Sequence, residues 1–208
     1  YIMRDLLLLN TSHYQGGNTY QFKFPKPIDI KKAKLSLSSF SIYNSTYNIT
    51  SDLKNNSFSI NWLGTNYNFV IPDGYYSISD INYYIQQQCL LYKLYMTKNN
   101  GAQNVYFIEV TTNSVRYKAQ INIYYIPTLV QASDAKLQYS KPFDASWDFP
   151  TTPTTPQIIL STGLGKIFGM TQQLIFPLNP TTTNQSFLSD TYPRLSPVFT
   201  YLITCNLL

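Results

Sequence analysis

The chain has 208 residues, a formal net charge of +5, 44% hydrophobic residues and only 12% charged ones. That length suits one domain with a buried core, and 19 Tyr beside 12 Phe and 2 Trp exclude a chain that stays solvated. A single Glu, Glu109, and few Ala exclude a coiled coil, and no apolar run of about 18 residues is present to span a membrane as a helix.

Period-two alternation dominates the chain. Tyr20, Phe22 and Phe24 share one face of a strand that Pro25 and Pro27 stop. Lys23, Lys26, Lys31, Lys32 and Lys34 gather here against one acid, Asp29, as a basic contact patch for phosphate or a solvated face. Ala33, Leu35 and Leu37 alternate next, and a change of parity to Phe40 and Ile42 predicts a bulge near Ser39. Phe58, Ile60 and Trp62 predict a strand, joined to Tyr67, Phe69 and Ile71 by a two-residue turn, Gly64-Thr65, with Gly first.

One helix then interrupts the strands. Ser77, with Asp80 three residues on, predicts a capping box, and Ile78, Ile81, Ile85, Cys89 and Tyr92 recur at helical spacing over residues 77–92. Its expected role is to close one end of a sandwich. Val105–Val110 is apolar on both faces, as in a strand covered on both sides. Thr112-Asn113-Ser114 is the expected turn into the longest alternation, Val115 to Tyr125. Residues 128–157 read as a long loop or insertion, with Pro142, Pro150, Pro153, Pro156 and Trp147. Ser161 to Met170 predicts a second helical turn burying Leu164, Ile167 and Phe168. Val198–Leu208 reads as a strand that meets no turn signal, so the sequence is expected to be incomplete at both termini.

Catalytic chemistry has little to work with. His13 is the one histidine and sits in a polar loop, Asn10-Thr11-Ser12-His13-Tyr14. Cys89 and Cys205 lack CxxC spacing and read as two buried free thiols, with a single disulfide as the alternative. Gly163-Leu164-Gly165-Lys166 fails as a phosphate loop, because Leu160 stands where Gly is needed and Ile167 follows the Lys. Asp144 and Asp148 are the closest acids and the only candidate hydrolase pair. Five glycosylation sequons, at Asn10, Asn44, Asn48, Asn55 and Asn184, do not establish secretion. No catalytic residue, cofactor or metal is assigned, and the chain reads as a non-enzyme.

Nine strand-like segments, one helix and long connections predict an all-β fold, an antiparallel β-sandwich, with the single jelly roll as the variant that accommodates them. Three stretches carry a family resemblance. They are Phe24-Pro25-Lys26-Pro27-Ile28-Asp29-Ile30 leading to Phe40 and Tyr43-Asn44-Ser45, Ile71-Pro72-Asp73-Gly74-Tyr75-Tyr76 feeding the helix, and Leu164-Gly165-Lys166-Ile167-Phe168-Gly169-Met170. Together they resemble the minor capsid (penton) proteins of virophages and Polinton-like viruses.

That resemblance implies one jelly-roll domain over 1–208 and a structural role as a homopentamer. The homopentamer would plug the vertices of an icosahedral virion, among double jelly-roll major capsid proteins, after assembly in the infected host cell. Packaged DNA is a further candidate partner. Tyr43, Tyr47, Phe143, Trp147 and Phe149 are the candidate subunit contacts, since Tyr and other rings bring contact area with few rotamers to freeze. Two other readings compete. One is half of a double jelly-roll major capsid protein. The other is a carbohydrate- or receptor-binding sandwich with Trp62 and Trp147 as platforms.

Overall fold

The computed structural model describes residues 12, 14–16, 19–21, 23, 47–98 and 101–196. The chain divides into two compact units, residues 1–43 and 44–208. In the first, β1 (Tyr14–Gly16) pairs antiparallel with β2 (Thr19–Tyr20). The expected strand at Ala33–Ile42 with its bulge, and the one at Val198–Leu208, lie outside the described residues, as do Phe22 and Phe24.

The second unit runs β3 (Ser57–Trp62), β4 (Thr65–Val70), α1 (Ile78–Leu91), β5 (Met96–Lys98), β6 (Gln103–Val105) and β7 (Ile108–Asn113). It continues through β8 (Lys118–Ile123), α2 (Leu129–Ala132), β9 (Tyr139–Ser140), β10 (Gln157–Leu160), α3 (Thr162–Phe168), β11 (Ile175–Phe176) and β12 (Gln185–Leu188). Its sheets are ordered β11-β10-β3-β4, β12-β8-β7 and β6-β5-β9, and all the described pairings are antiparallel. The unit is mostly β, with few helices, in keeping with a β-sandwich.

Alternation puts the apolar residues where the sheets need them. Phe58, Ile60 and Trp62 on β3, Ala119, Ile121 and Ile123 on β8, and Ile158 and Leu160 on β10 are all buried and join one core cluster. Rings tie the two larger sheets together, with Phe176 of β11 5.2 Å from Phe187 of β12.

Helix α1 forms as its sequence predicts. The Ser77 side chain accepts from the Asp80 N–H while the Asp80 carboxylate accepts from the Ser77 N–H at 2.8 Å, so two donors at the helix start are satisfied. Ile78, Ile81, Ile85 and Cys89 are buried. The helix is tied to a strand of each of two sheets. Asn82 Oδ1 accepts the Val110 N–H of β7 at 2.7 Å, and the Tyr84 hydroxyl donates to the Val70 carbonyl of β4 at 2.7 Å. Helix α3 also matches, with Ser161 as N-cap and Leu164, Ile167 and Phe168 buried.

Four expectations are corrected. The β3–β4 turn is Leu63-Gly64, since Trp62 already pairs with Thr65. Its residues have φ of 50° and 88°, so Gly is second, as a turn with two left-handed residues prefers. Val105–Val110 is not one strand. Val105 pairs in the small sheet and Ile108 in another, so consecutive burial there marks a chain passing between sheets. The β7–β8 turn comes later than expected, at Ser114–Tyr117, because Asn113 pairs with Lys118 and its Oδ1 accepts the Arg116 N–H at 3.1 Å. Val115 and Tyr117 therefore stand in the turn, exposed, instead of on the strand.

The fourth correction concerns 128–157, which is more than a loop. Thr128 and Gln131 form a capping box on α2, β9 pairs with β5, and Ile126 and Thr154 exchange backbone hydrogen bonds of 2.7 and 3.1 Å.

Candidate interaction surface

The segment between β9 and β10 is built around Trp147. Its ring meets Trp62 at 5.4 Å and Phe149 at 5.8 Å, both edge-on, and its Nε1 donates to the Lys93 carbonyl at 2.6 Å. Lys141 Nζ then donates to the Trp147 carbonyl at 2.9 Å and pairs with Asp148 at 3.3 Å. The backbone between these fixings turns sharply, with the Ala145 N–H on the Pro142 carbonyl and Asp144 at φ 58°. At the tip stands Phe143, 96% exposed. A large ring held in water on a fastened loop keeps its apolar area available for a partner at little ordering cost.

The other candidate contacts divide. Tyr47 is 54% exposed, ahead of the Ile49–Gly74 bridge. Trp147 is only 7% exposed and Phe149 is half-buried against the core, so both serve their own chain's packing. The reason is local: Trp62 on the inner face of β3 offers a ring for Trp147 to cover. Tyr43 lies outside the described residues. Of the basic patch, Lys23 is exposed, and Lys26, Lys31, Lys32 and Lys34 lie outside the described residues.

Trp62 is 1% exposed, so neither Trp can present a flat face to a sugar. The platform expectation is overturned on both residues. Asp144 pairs with Lys93 at 3.6 Å and Asp148 with Lys141, so each exposed carboxylate has a lysine of its own. His13 and Cys205 lie outside the described residues. Cys89 is a buried free thiol, and burial pushes its pKa up to about 12. Among the described residues no group of His, Cys, Asp and Glu is placed to hold a metal ion. No helix among them is long and apolar enough to cross a membrane.

Two sequon asparagines prove structural. Asn48 is fully buried, with Nδ2 donating to the Tyr76 carbonyl at 2.7 Å and the Leu195 carbonyl at 2.9 Å, while Oδ1 accepts the Tyr76 N–H at 2.8 Å. Asn55 is buried beside it, donating to the Asn48 carbonyl at 2.8 Å and accepting from Thr50 N–H at 2.8 Å. Neither side chain is open to a glycan. Only the fold shows that they bind loops together.

A second exposed aromatic group was missed in the sequence. Tyr75 and Tyr83 are exposed beside half-buried Tyr76 and Tyr84, and with Asp80 and Gln87 they line a cleft of about 480 Å³ at the start of α1. The phenols of Tyr76 and Tyr84 are raised above their ordinary value, mainly by burial. The Asp80 carboxyl is held low by the Ser77 hydroxyl and then the Ser77 N–H. The signal was present as Gly74-Tyr75-Tyr76 and Tyr83-Tyr84. In α1 the spacing puts Ile81 and Ile85 inward and Tyr83 outward.

No protein-family model matches the chain, and no curated protein or solved structure matches it either.

Proposed function

We propose that this chain is a structural subunit of an icosahedral virus capsid, a single jelly-roll protein that forms the pentameric vertex. Its partners in that role are four further copies of itself and the surrounding double jelly-roll major capsid protein, with packaged DNA as a candidate contact of Lys23. The site of action is the virion.

Chain order supports the jelly roll. The path makes β3 and β4 in one sheet, runs through α1 and then β5 and β6 of the small sheet to β7 and β8 in another, adds β9 to the small sheet, returns to the first sheet for β10 and β11, and crosses again for β12. Pairings as distant in sequence as Phe58 with Leu160 and Gln120 with Leu188 result. Such back-and-forth winding is what a jelly roll requires.

The observation that carries the subunit role is the position of the exposed rings. Phe143 is fixed in the open by the Trp147 anchor, and Tyr47, Tyr75 and the α1 residue Tyr83 are exposed elsewhere on the unit. Contacts that close by five-fold rotation join two different patches of each subunit, and rigid knobs and clefts at separate places supply them. The deciding measurement is native mass spectrometry of the full-length protein. A pentamer is expected, and a strictly monomeric protein at high concentration overturns the proposal.

A further inference from the structure

Residues 189–195 follow β12 and cross the end of α3. Ser189, buried, fixes the near end, its N–H on the Ala119 carbonyl at 2.9 Å and its hydroxyl accepting the Ala119 N–H at 3.2 Å. Leu195 fixes the far end through buried Asn48. Between these anchors the fastenings are polar; those of Asp190 are open to water, while the Ser189 hydroxyl donates to the Thr191 carbonyl at 2.7 Å in a part-buried bond. Asp190 Oδ2 accepts from the Thr171 N–H at 2.7 Å, the Thr171 hydroxyl at 3.0 Å and the Gln172 N–H at 3.0 Å. The Thr191 N–H meets the Gly169 carbonyl at 3.1 Å and the Arg194 N–H meets the Ile167 carbonyl at 2.8 Å. Lys118 Nζ donates to the Asp190 carbonyl at 3.1 Å.

What lies at the Asp190 end is a cleft of mixed lining, with Gln173 and Ser186 beside its apolar side chains. Asp190 and Gln172 stand on the rim of a cleft of about 300 Å³ walled by Met170, Phe176, Phe187 and Leu188. Met170 and Phe176 are both buried. The chain also passes very close over α3. A Cβ at Gly169, where φ is +77°, would come within 2.4 Å of the Thr191 carbonyl oxygen.

We propose that residues 190–194 are a flap over the end of α3, with Asp190 at the rim of this cleft, anchored at Ser189 and Leu195 and latched by the Asp190 carboxylate, and that its release opens Met170 to solvent. Segments held by exposed hydrogen bonds open at lower free energy than sheets held by buried side chains. Buried Ser189 at one end and Leu195, held by buried Asn48, at the other confine that opening to the five residues between them.

Hydrogen peroxide applied to the full chain, with peptide mapping of methionine sulfoxide, tests this. Met96 is fully buried and serves as the internal control. Asp190→Asn weakens three charge-assisted bonds and is expected to raise the Met170 oxidation rate roughly tenfold, with Met96 unchanged. Gly169→Ala, which presses on Thr191 from beneath, is expected to do the same. An unchanged Met170 rate in both variants overturns the proposal, and so does a matched rise at Met170 and Met96. Amide exchange of the unmodified protein gives an answer that needs no variant. Thr171, Gln172 and Thr191 should exchange together and faster than the β8 amides, and protection equal to β8 overturns the flap.

Discussion

Two irregular segments are fastened to the same framework by opposite chemistry. Residues 141–149 are held by a buried ring, Trp147 on Trp62, with hydrogen bonds around it. Residues 189–195 are held mostly by backbone groups and a carboxylate in water. Burying a ring withdraws a large apolar area, an effect that is insensitive to pH and costly to undo. A surface carboxylate latch is strong only while it is charged. The first arrangement suits a loop that must keep one shape, and the second suits one that moves.

Trp147→Ala should have the largest effect, a loss of about 3–5 kcal/mol in urea unfolding, because it removes a core ring and leaves the Lys93 carbonyl without its donor. A loss near that of an ordinary surface substitution breaks the contrast. Asn48→Ala comes next. It deprives the Tyr76 N–H and the Tyr76 and Leu195 carbonyls of their shared partner, and about 2–3 kcal/mol is expected from the same measurement. Thermal unfolding unchanged from the parent protein rules out the buried clamp.

Acid separates the segments further. The Asp190 carboxyl lies below its ordinary range because of the Thr171 and Gln172 N–H groups, and Asp80 does so because of Ser77. Their contribution is fully present above the ordinary carboxylate pKa, roughly 3.9, and is lost as pH falls through the lower folded values. Urea midpoints should therefore hold steady above about pH 5 and decline below about pH 4, with Asp190→Asn flattening part of the decline. Protease cleavage in that acid range should fall within 189–195 before 141–149. The reverse order contradicts the comparison. The smallest change in stability is expected for Phe143→Ser, within about 0.5 kcal/mol, since the ring touches little of its own chain. Native mass spectrometry of that variant should nonetheless show fewer pentamers.

Long, strongly patterned elements were readable from the residues. Phe58-Ile60-Trp62 with Tyr67-Phe69, the Ser77–Asp80 cap and Leu164-Ile167-Phe168 all formed where alternation or helical spacing placed them. Short pairings were not. β5, β9 and β11 have two or three residues each, too few to show a period, and β9 pairs with β5 across α2 and the whole β7–β8 hairpin. Turn positions slipped because alternation continued through Val115 and Tyr117 into residues the Asn113 side chain had already bent. Among the site residues, Phe143 was legible as a loop ring. Trp147 beside it was misplaced because nothing in the local sequence says that Trp62 waits opposite. Asn48, Asn55 and Asp190 carried no signal, since a polar side chain declares its burial or its latch only through partners brought near by folding.

Helix α1 has a consequence for how the protein avoids sticking to the wrong neighbours. The Val110 N–H of β7 and the Val70 carbonyl of β4 are hydrogen-bonding groups of the kind that recruit a stray strand from another molecule. Asn82 occupies one and Tyr84 the other. The helix thus acts as a guard rail against runaway β-stacking at both strands. What this flank leaves exposed beside the helix start is the rings of Tyr75 and Tyr83.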